Sequence, residues 1–529
     1  MKRVCTLFLL LPLVLPALAA PPAHHTSLAT MNGRSRALFL ETMRMNGKYW
    51  DPAVGLIHAP LYVPGAPVPD THKTDSHSYG SHTALIRETS FYALSLLIRD
   101  APGDRKAAAS AIDAVLQQQF TQPGFRWYGT FRRGPEEPVP GDDARKWYDW
   151  DPNWREFIGT TLEMILIEYP DRIPPELADR MYKSIDLAVQ GEIDEKRLIP
   201  SYTNPALMFG ALLDFAANHD NRADWKQLSA TWNEKVFALF DKHGAFAEYN
   251  SATYYGVDML GITMWRDYGS TEHMRAMGTT MEAGLWHDVA ALYHPGLRNI
   301  CGPWDRSYGM DMETFPSLIA LWMAADMNEA QLPLPPLDKI EGYTVAYMPQ
   351  VAVLGSRIPP ADLAKLKSFA GEHAFRRQID DTRVATAWIG KRAIWGGEFT
   401  GKTDQVGKDS QFRPLTVQWR TPSGEIGWVA IASSPMLDVT ASKEGLEIST
   451  TGDLRLRVHA KGLDPAKLTE KLWTVPGLSI AVAADTHGSF TLEKSDPKFN
   501  IYLETPADTY DLIYPGVTGA KLKIAAGND

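Results

Sequence analysis

The stretch Gln331-Leu332-Pro333-Leu334-Pro335-Pro336 divides the chain into two halves with different periodicity. Three prolines in six residues stiffen the backbone and stop a regular element. Before the break, apolar residues recur at spacings of three and four, the period of a helix face. The pattern predicts helices over Ser35 to Met45, Ser81 to Arg99, Arg105 to Gln119, Asn153 to Tyr169, Pro175 to Gly191, Asn204 to Asn218, Trp225 to Lys242, Tyr255 to Tyr268, Thr271 to Tyr293 and Thr314 to Asp326. After it, the runs 384–389, 415–420, 428–432 and 454–459 are short and rich in β-formers, with turn signals such as Pro422-Ser423-Gly424.

About ten amphipathic helices with almost no strand between them must bury many apolar stripes at once, and a ring of helical hairpins does so. The expected fold is therefore multidomain α and β: an N-terminal α/α toroid, an incomplete barrel of hairpins, over 21–335, and a C-terminal antiparallel β-sandwich over 340–529. The longer connections 49–80, 124–150, 244–254 and 294–311 gather at one end of such a ring, where a site is expected.

Residues 1–20, MKRVCTLFLLLPLVLPALAA, combine a basic start, an apolar run and small residues at Ala17-Leu18-Ala19. They are expected to be a cleavable signal peptide, which places the mature protein in the periplasm or outside the cell, without a membrane anchor. Cleavage removes Cys5 and leaves Cys301 alone, so no intrachain disulfide forms. Loss of Lys2 and Arg3 takes the formal charge from −10 to −12, which argues against nucleic acid and anionic membrane as partners. Sixteen Trp and twenty Tyr suit sugar rings as well as cores.

The densest polar connection is His243-Gly244-Ala245-Phe246-Ala247-Glu248-Tyr249-Asn250-Ser251-Ala252-Thr253-Tyr254-Tyr255. So many Glu, Asn, Ser, Thr and Tyr side chains are costly to bury unpaired, which points to a solvated cleft. With the two-part layout, this loop makes the chain resemble polysaccharide lyases of the heparinase II/III and alginate-lyase type. Their motif is similar to Gly-x-x-x-Glu-x-Ser-x-x-Tyr; Gly244, Glu248, Ser251 and Tyr254 follow it with two residues, not one, between Glu248 and Ser251. The resemblance implies β-elimination at a uronate, with Tyr254 as base and acid, Tyr308 or Tyr255 as its substitutes, and Asn204 neutralising the carboxylate. Such families often carry a histidine beside the asparagine. Here Pro205 stands there, so His243, His287 and His294 are alternatives for the base. Asn204 or Thr203 reads equally well as a helix N-cap.

Two further segments suit a sugar acid. In Asn299-Ile300-Cys301-Gly302-Pro303-Trp304-Asp305-Arg306-Ser307-Tyr308-Gly309-Met310-Asp311, Arg306 can fork onto a carboxylate and Trp304 can stack, with Asp305 and Tyr308 beside them. In Trp147-Tyr148-Asp149-Trp150-Asp151-Pro152-Asn153-Trp154-Arg155-Glu156, rings and acids precede a helix, as a sugar-binding wall or as a capping box of Asn153 with Glu156. The expected catalytic set is Tyr254, Asn204, Arg306, His294 and Tyr308. The expected substrate contacts are Trp150, Asn153, Arg155, Tyr202, Glu248, Asn250, Tyr255, Trp304, Asp305 and His82.

No zinc helix, phosphate loop or Cys-x-x-Cys pair occurs, and no metal or other cofactor is expected, although His72, Asp75, His77 and His82 could be drawn as a metal site. The expected partner is an acidic polysaccharide or oligosaccharide. A glycoside hydrolase on the same ring is the competing expectation, with Glu248 and Asp305, or Asp149 and Asp151, about 5–5.5 Å apart for retention or about 6.5–9.5 Å for inversion. A non-catalytic sugar-binding protein is the third.

Overall fold

The structure, a computed structural model, describes residues 26–58, 84–135, 137–314, 317–327, 331–340, 345–401, 411–432, 437–498 and 504–526. Its helices are α1 (Gly33–Tyr49), α2 (Ile86–Arg99), α3 (Asp104–Leu116), α4 (Trp154–Glu168), α5 (Pro175–Glu195), α6 (Thr203–His219), α7 (Ala223–His243), α8 (Tyr254–Tyr268), α9 (Glu272–Leu292), α10 (Ile319–Met323), α11 (Met348–Leu354) and α12 (Pro360–Lys367).

Two kinds of helix alternate along the chain. In α2, α4, α6 and α8 nearly every residue is buried, whereas α5 buries only a stripe that includes Leu177, Met181, Ile185, Ala188 and Val189. Helices apolar all round belong inside, and striped ones outside. Accordingly α2, α4, α6 and α8 pack side by side as an inner ring, which α11 closes by touching both α8 and α2. Helices α3, α5, α7 and α9 back them from outside. The inner helices come close: a Cβ on Gly261 of α8 would lie 2.6 Å from the Leu207 Cβ of α6.

The proline-rich break is packed rather than linker-like. Leu332 and Leu334 are buried, and the Leu332 carbonyl accepts from Arg298 Nε at 2.8 Å. The helical layer continues past it through α11 and α12, so the strands expected from about 340 begin at His373.

From there eleven strands form one antiparallel sheet: β1 (His373–Gln378), β2 (Val384–Ile389), β3 (Ala393–Phe399), β4 (Leu415–Arg420), β5 (Ile426–Ile431), β6 (Asp438–Ser442), β7 (Gly445–His459), β8 (Leu472–Val475), β9 (Leu478–Ala484), β10 (Thr491–Lys494) and β11 (Thr509–Ala526). The order is β8-β9-β11-β7-β5-β4-β3-β2-β1, with β6 on β7 and β10 on β11. Strand β6, hydrogen-bonded to β7, lies over β2 and β3, so the sheet folds back on itself as a sandwich around Trp395, Trp419, Leu456 and Trp473.

Candidate active site

Three inner helices begin at one end of the ring, and their first residues meet. Asn153, preceding α4, donates from Nδ2 to the Tyr202 hydroxyl (3.4 Å) and accepts from Arg197 Nη1 (2.6 Å). Tyr202 precedes α6, whose first turn carries Thr203 and Asn204. Neither side chain caps its helix; instead the Thr203 N–H (3.1 Å) and Asn204 Nδ2 (3.3 Å) both donate to Glu248 Oε2, in the loop before α8. Asn153 likewise makes no side-chain cap, and Glu156 is buried against Arg197, so no capping box forms.

Glu248 Oε1 then accepts from Arg306 Nη1 at 2.7 Å, joining the two polar loops across 58 residues of chain. Arg306 Nε donates to Gln411 Oε1 (3.2 Å), and its guanidinium lies 3.7 Å from the centre of the Tyr254 ring. The Tyr254 hydroxyl shares a short hydrogen bond with that of Tyr308. Ser251 fixes the arrangement: its Oγ accepts from the Tyr254 N–H (2.9 Å) and donates to the Arg306 carbonyl (2.5 Å).

Burial opposes the charge on Arg306, but Tyr254, Glu248, Tyr308 and Tyr202 around it outweigh that and hold the guanidinium firmly protonated. Reciprocally, a cation against a phenol ring favours phenolate. Burial raises the Tyr202 hydroxyl, against the pull of Arg306. Asp258, one turn along α8 from Tyr254, is fully buried with no donor to either oxygen among the described residues. Burial, and then Glu248, push its carboxyl well above the usual range against the pull of Arg306.

Tyr254, Tyr308, Arg306, Asn204, Glu248, Tyr202 and Asn153 are thus brought together in one polar cluster. Other expected residues take structural places. Trp304 is 1% exposed, packs on Met310, Trp428 and Ala430, and pairs through its backbone with Arg413, leaving no ring face for a sugar. Trp150 is equally buried, with Phe120 and Trp127. Arg155 is spent on Glu192 and Glu195, both at 2.8 Å. Asn250 donates to the carbonyls of Cys301 and Pro303, and Tyr255 is core.

His294 is buried, accepts from the Leu297 N–H at Nδ1, reaches the Lys391 carbonyl with Nε2 and stacks on Phe369; burial lowers its basicity. Both ring nitrogens are therefore occupied away from the tyrosines. His243 pairs with Asp381, and His287, well exposed, lies by Asp362. His82 and the His72, Asp75, His77 group lie outside the described residues, among which no cluster of three metal-ligating side chains occurs.

The Trp-rich wall turns a different part outward. Trp147 and Tyr148 are 50% and 49% exposed, with Lys146 over one ring and Arg145 over the other. Trp147 has φ 66°, a left-handed conformation costly for a bulky residue, held by its N–H to the Trp150 carbonyl (2.7 Å). Arg383, which touches both loops, and Gln411, which holds the Arg306 loop, carried no local sequence signal, since each meets partners far away in the chain.

Residues 36–355 match the family described as Domain of unknown function (DUF8769). The chain belongs to that family. The match spans the helices from α1 to α11, and so the whole inner ring. No curated protein matches the chain in sequence. Among solved structures the chain is similar to heparinase III, at 10% identity and TM-score 0.44 over 96% of this chain and 87% of that one. A mutant of the chondroitin AC lyase of Streptomyces coelicolor A3 gives 11% identity and TM-score 0.39, over 94% and 80%. A mutant heparan sulfate lyase from Pedobacter heparinus gives 12% and 0.34, over 95% and 90%.

Proposed function

We propose that this protein is a secreted polysaccharide lyase that cuts a uronate-containing chain by β-elimination. The observation that carries the reading is the Tyr254–Tyr308 hydroxyl pair beneath the Arg306 guanidinium. A C5 proton beside a carboxylate is weakly acidic, so elimination needs a strong base and positive charge where the enolate develops. Two phenols sharing a hydrogen bond next to a cation supply the base, because the phenolate form of one accepts from the other.

Arg306 spends Nη1 on Glu248 and Nε on Gln411, and its Nη2 meets no acceptor among the described residues. That nitrogen and the Asn204 amide, at the positive end of α6, are the donors for a uronate carboxylate. Tyr254 then takes the C5 proton, the C5–H electron pair becomes the C4=C5 double bond, and the C4–O bond breaks. The departing oxygen takes its proton from the tyrosine pair. Exposed Trp147 and Tyr148, with their cationic neighbours, suit more distant sugars of an acidic chain.

The hydrolytic alternative finds less support. Glu248 is tied to three donors, and Asp305 is buried against the Tyr249 N–H (2.9 Å) and Arg383 Nη1 (2.6 Å), so neither is placed as a free acid or nucleophile. The signal segment lies outside the described residues, and no helix among them is long and apolar enough to cross a membrane.

The test is incubation of the mature chain with uronate-rich and neutral polysaccharides, following ultraviolet absorbance and reducing ends together. New ends with rising absorbance are expected, from the unsaturated uronate. New ends without absorbance would sink the lyase and favour the hydrolase.

A further inference from the structure

We infer that the C-terminal sheet sets the geometry of the cleft through a clasp, in which Arg383 ties the Glu248 loop to the Arg306 loop while Glu398 and Asp305 share one proton. Arg383 lies in the turn between β1 and β2. Its Nη2 donates to the Ala247 carbonyl at 2.8 Å and its Nη1 to Asp305 Oδ2 at 2.6 Å. Ala247 and Asp305 are the chain neighbours of Glu248 and Arg306, so one guanidinium holds the Ala247 carbonyl on one side of the ion pair and the Asp305 carboxylate on the other. Asp380 Oδ2 holds its Nε at 2.6 Å. Asp305 and Tyr249 close the same junction with two reciprocal bonds, N–H to Oδ2 at 2.9 Å and N–H to carbonyl at 3.0 Å.

Behind this contact sits Glu398 of β3, fully buried. Arg383 Nη1 links the two acids, 2.6 Å from Asp305 Oδ2 and 3.6 Å from Glu398 Oε1. Neither Glu398 oxygen, nor Asp305 Oδ1, meets an N–H or O–H donor among the described residues. Three acids, Asp305, Asp380 and Glu398, around one guanidinium leave excess negative charge at a buried site, which favours one of them keeping its proton. The groups acting on Glu398 are Asp305 from the ring side and Arg383 and Asp380 from the β1–β2 turn. Burial, then Asp305, push the Glu398 carboxyl well above the usual range against the pull of Arg383, in the same direction.

Arg383, Asp305 and Glu398 are thus positioning residues. Their effect on turnover rests on the lyase reading; their effect on the loops does not. The raised acid binds its proton more tightly folded than unfolded, so its contribution to stability is lost as pH rises from about 4.3 toward the raised value.

The experiment compares the mature chain with Arg383→Gln, Glu398→Gln and Glu398→Ala by hydrogen–deuterium exchange, by kcat and KM on a uronate polymer, and by melting against pH. Arg383→Gln is expected to raise exchange in 244–254 and 299–308 together by about tenfold. It should lower kcat about tenfold or more while KM changes little. Glu398→Gln, which keeps a donor to Asp305, should match the wild type in both respects and lose less stability with rising pH, whereas Glu398→Ala should resemble Arg383→Gln. Unchanged protection in either loop of Arg383→Gln, or equal behaviour of the Gln and Ala variants, would overturn the clasp. If Arg383→Gln fails to fold, Arg383→Lys, which reaches one acceptor instead of several, is held to the same exchange criterion. A wild type that yields no unsaturated product defeats the lyase reading alone, because the exchange data still judge the clasp.

Discussion

Segments 145–156 and 243–255 are built from much the same residues, aromatic rings among acids and amides, yet the ring of helices uses them in opposite ways. In 145–156 most of the functional-looking centre turns inward: Trp150 and Trp154 are core, Arg155 is locked in ion pairs, Asn153 alone reaches the Tyr202 hydroxyl, and of the rings only Trp147 and Tyr148 at the strained tip face water. In 243–255, Tyr249, Asn250 and Tyr255 serve as buried braces, which leaves Glu248 and Tyr254 at the cleft. The second loop has a partner loop across the cleft, carrying Arg306 and Tyr308, and the first does not. Composition marks a segment as polar and aromatic; the opposite wall decides which of its side chains are left for a ligand.

Four substitutions break or sharpen that contrast. Tyr254→Phe should lower the rate of unsaturated-product formation by about 10³-fold or more, with KM little changed; retained activity would remove the second loop from the chemistry. Trp150→Ala should lower unfolding stability by about 3 kcal/mol in a denaturant titration, as expected of a core ring, and a neutral result would mean that this ring is not packed as described. Arg306→Lys should cost about 100-fold in kcat, since an ammonium cannot serve Glu248, Gln411 and a carboxylate in one plane. Trp147→Ala should leave stability within about 0.5 kcal/mol and raise KM about fivefold, the loss of one stacked sugar contact. If Trp147→Ala instead unfolds the protein, its exposed tip is a structural support and the contrast fails.

The inner-ring helices and the strands 384–389 and 415–420 were legible because a helix apolar all round and a β-branched run each carry their own period. Helices α11 and α12 were not, for they are short and start beside Pro349 and Pro359-Pro360, where prolines read as interruption although they suit a first helical turn. Of the side chains that meet in the polar cluster, Tyr254, Tyr308, Arg306 and Glu248 stood out because their loops concentrate polar residues, and Asn204 only through the family resemblance. The burial of Trp304 and Asp305 could not, since it depends on β3, β4, β5 and the β1–β2 turn, some 80 to 130 residues away. Arg383, Glu398 and Gln411 sit in ordinary strand and turn sequence, and their role exists only once the sheet docks.

The Arg306 loop also contains Cys301, fully buried, its N–H bonded to the Leu292 carbonyl and its own carbonyl held by Asn250. Burial raises its thiol well above the usual range, so it is inert while the loop stays seated. Produced from residue 21 onward, the chain keeps that one thiol. A colorimetric sulfhydryl reagent therefore times, in the unmodified protein, how often this loop lifts from its seat, and saturating amounts of the right polysaccharide should slow that clock.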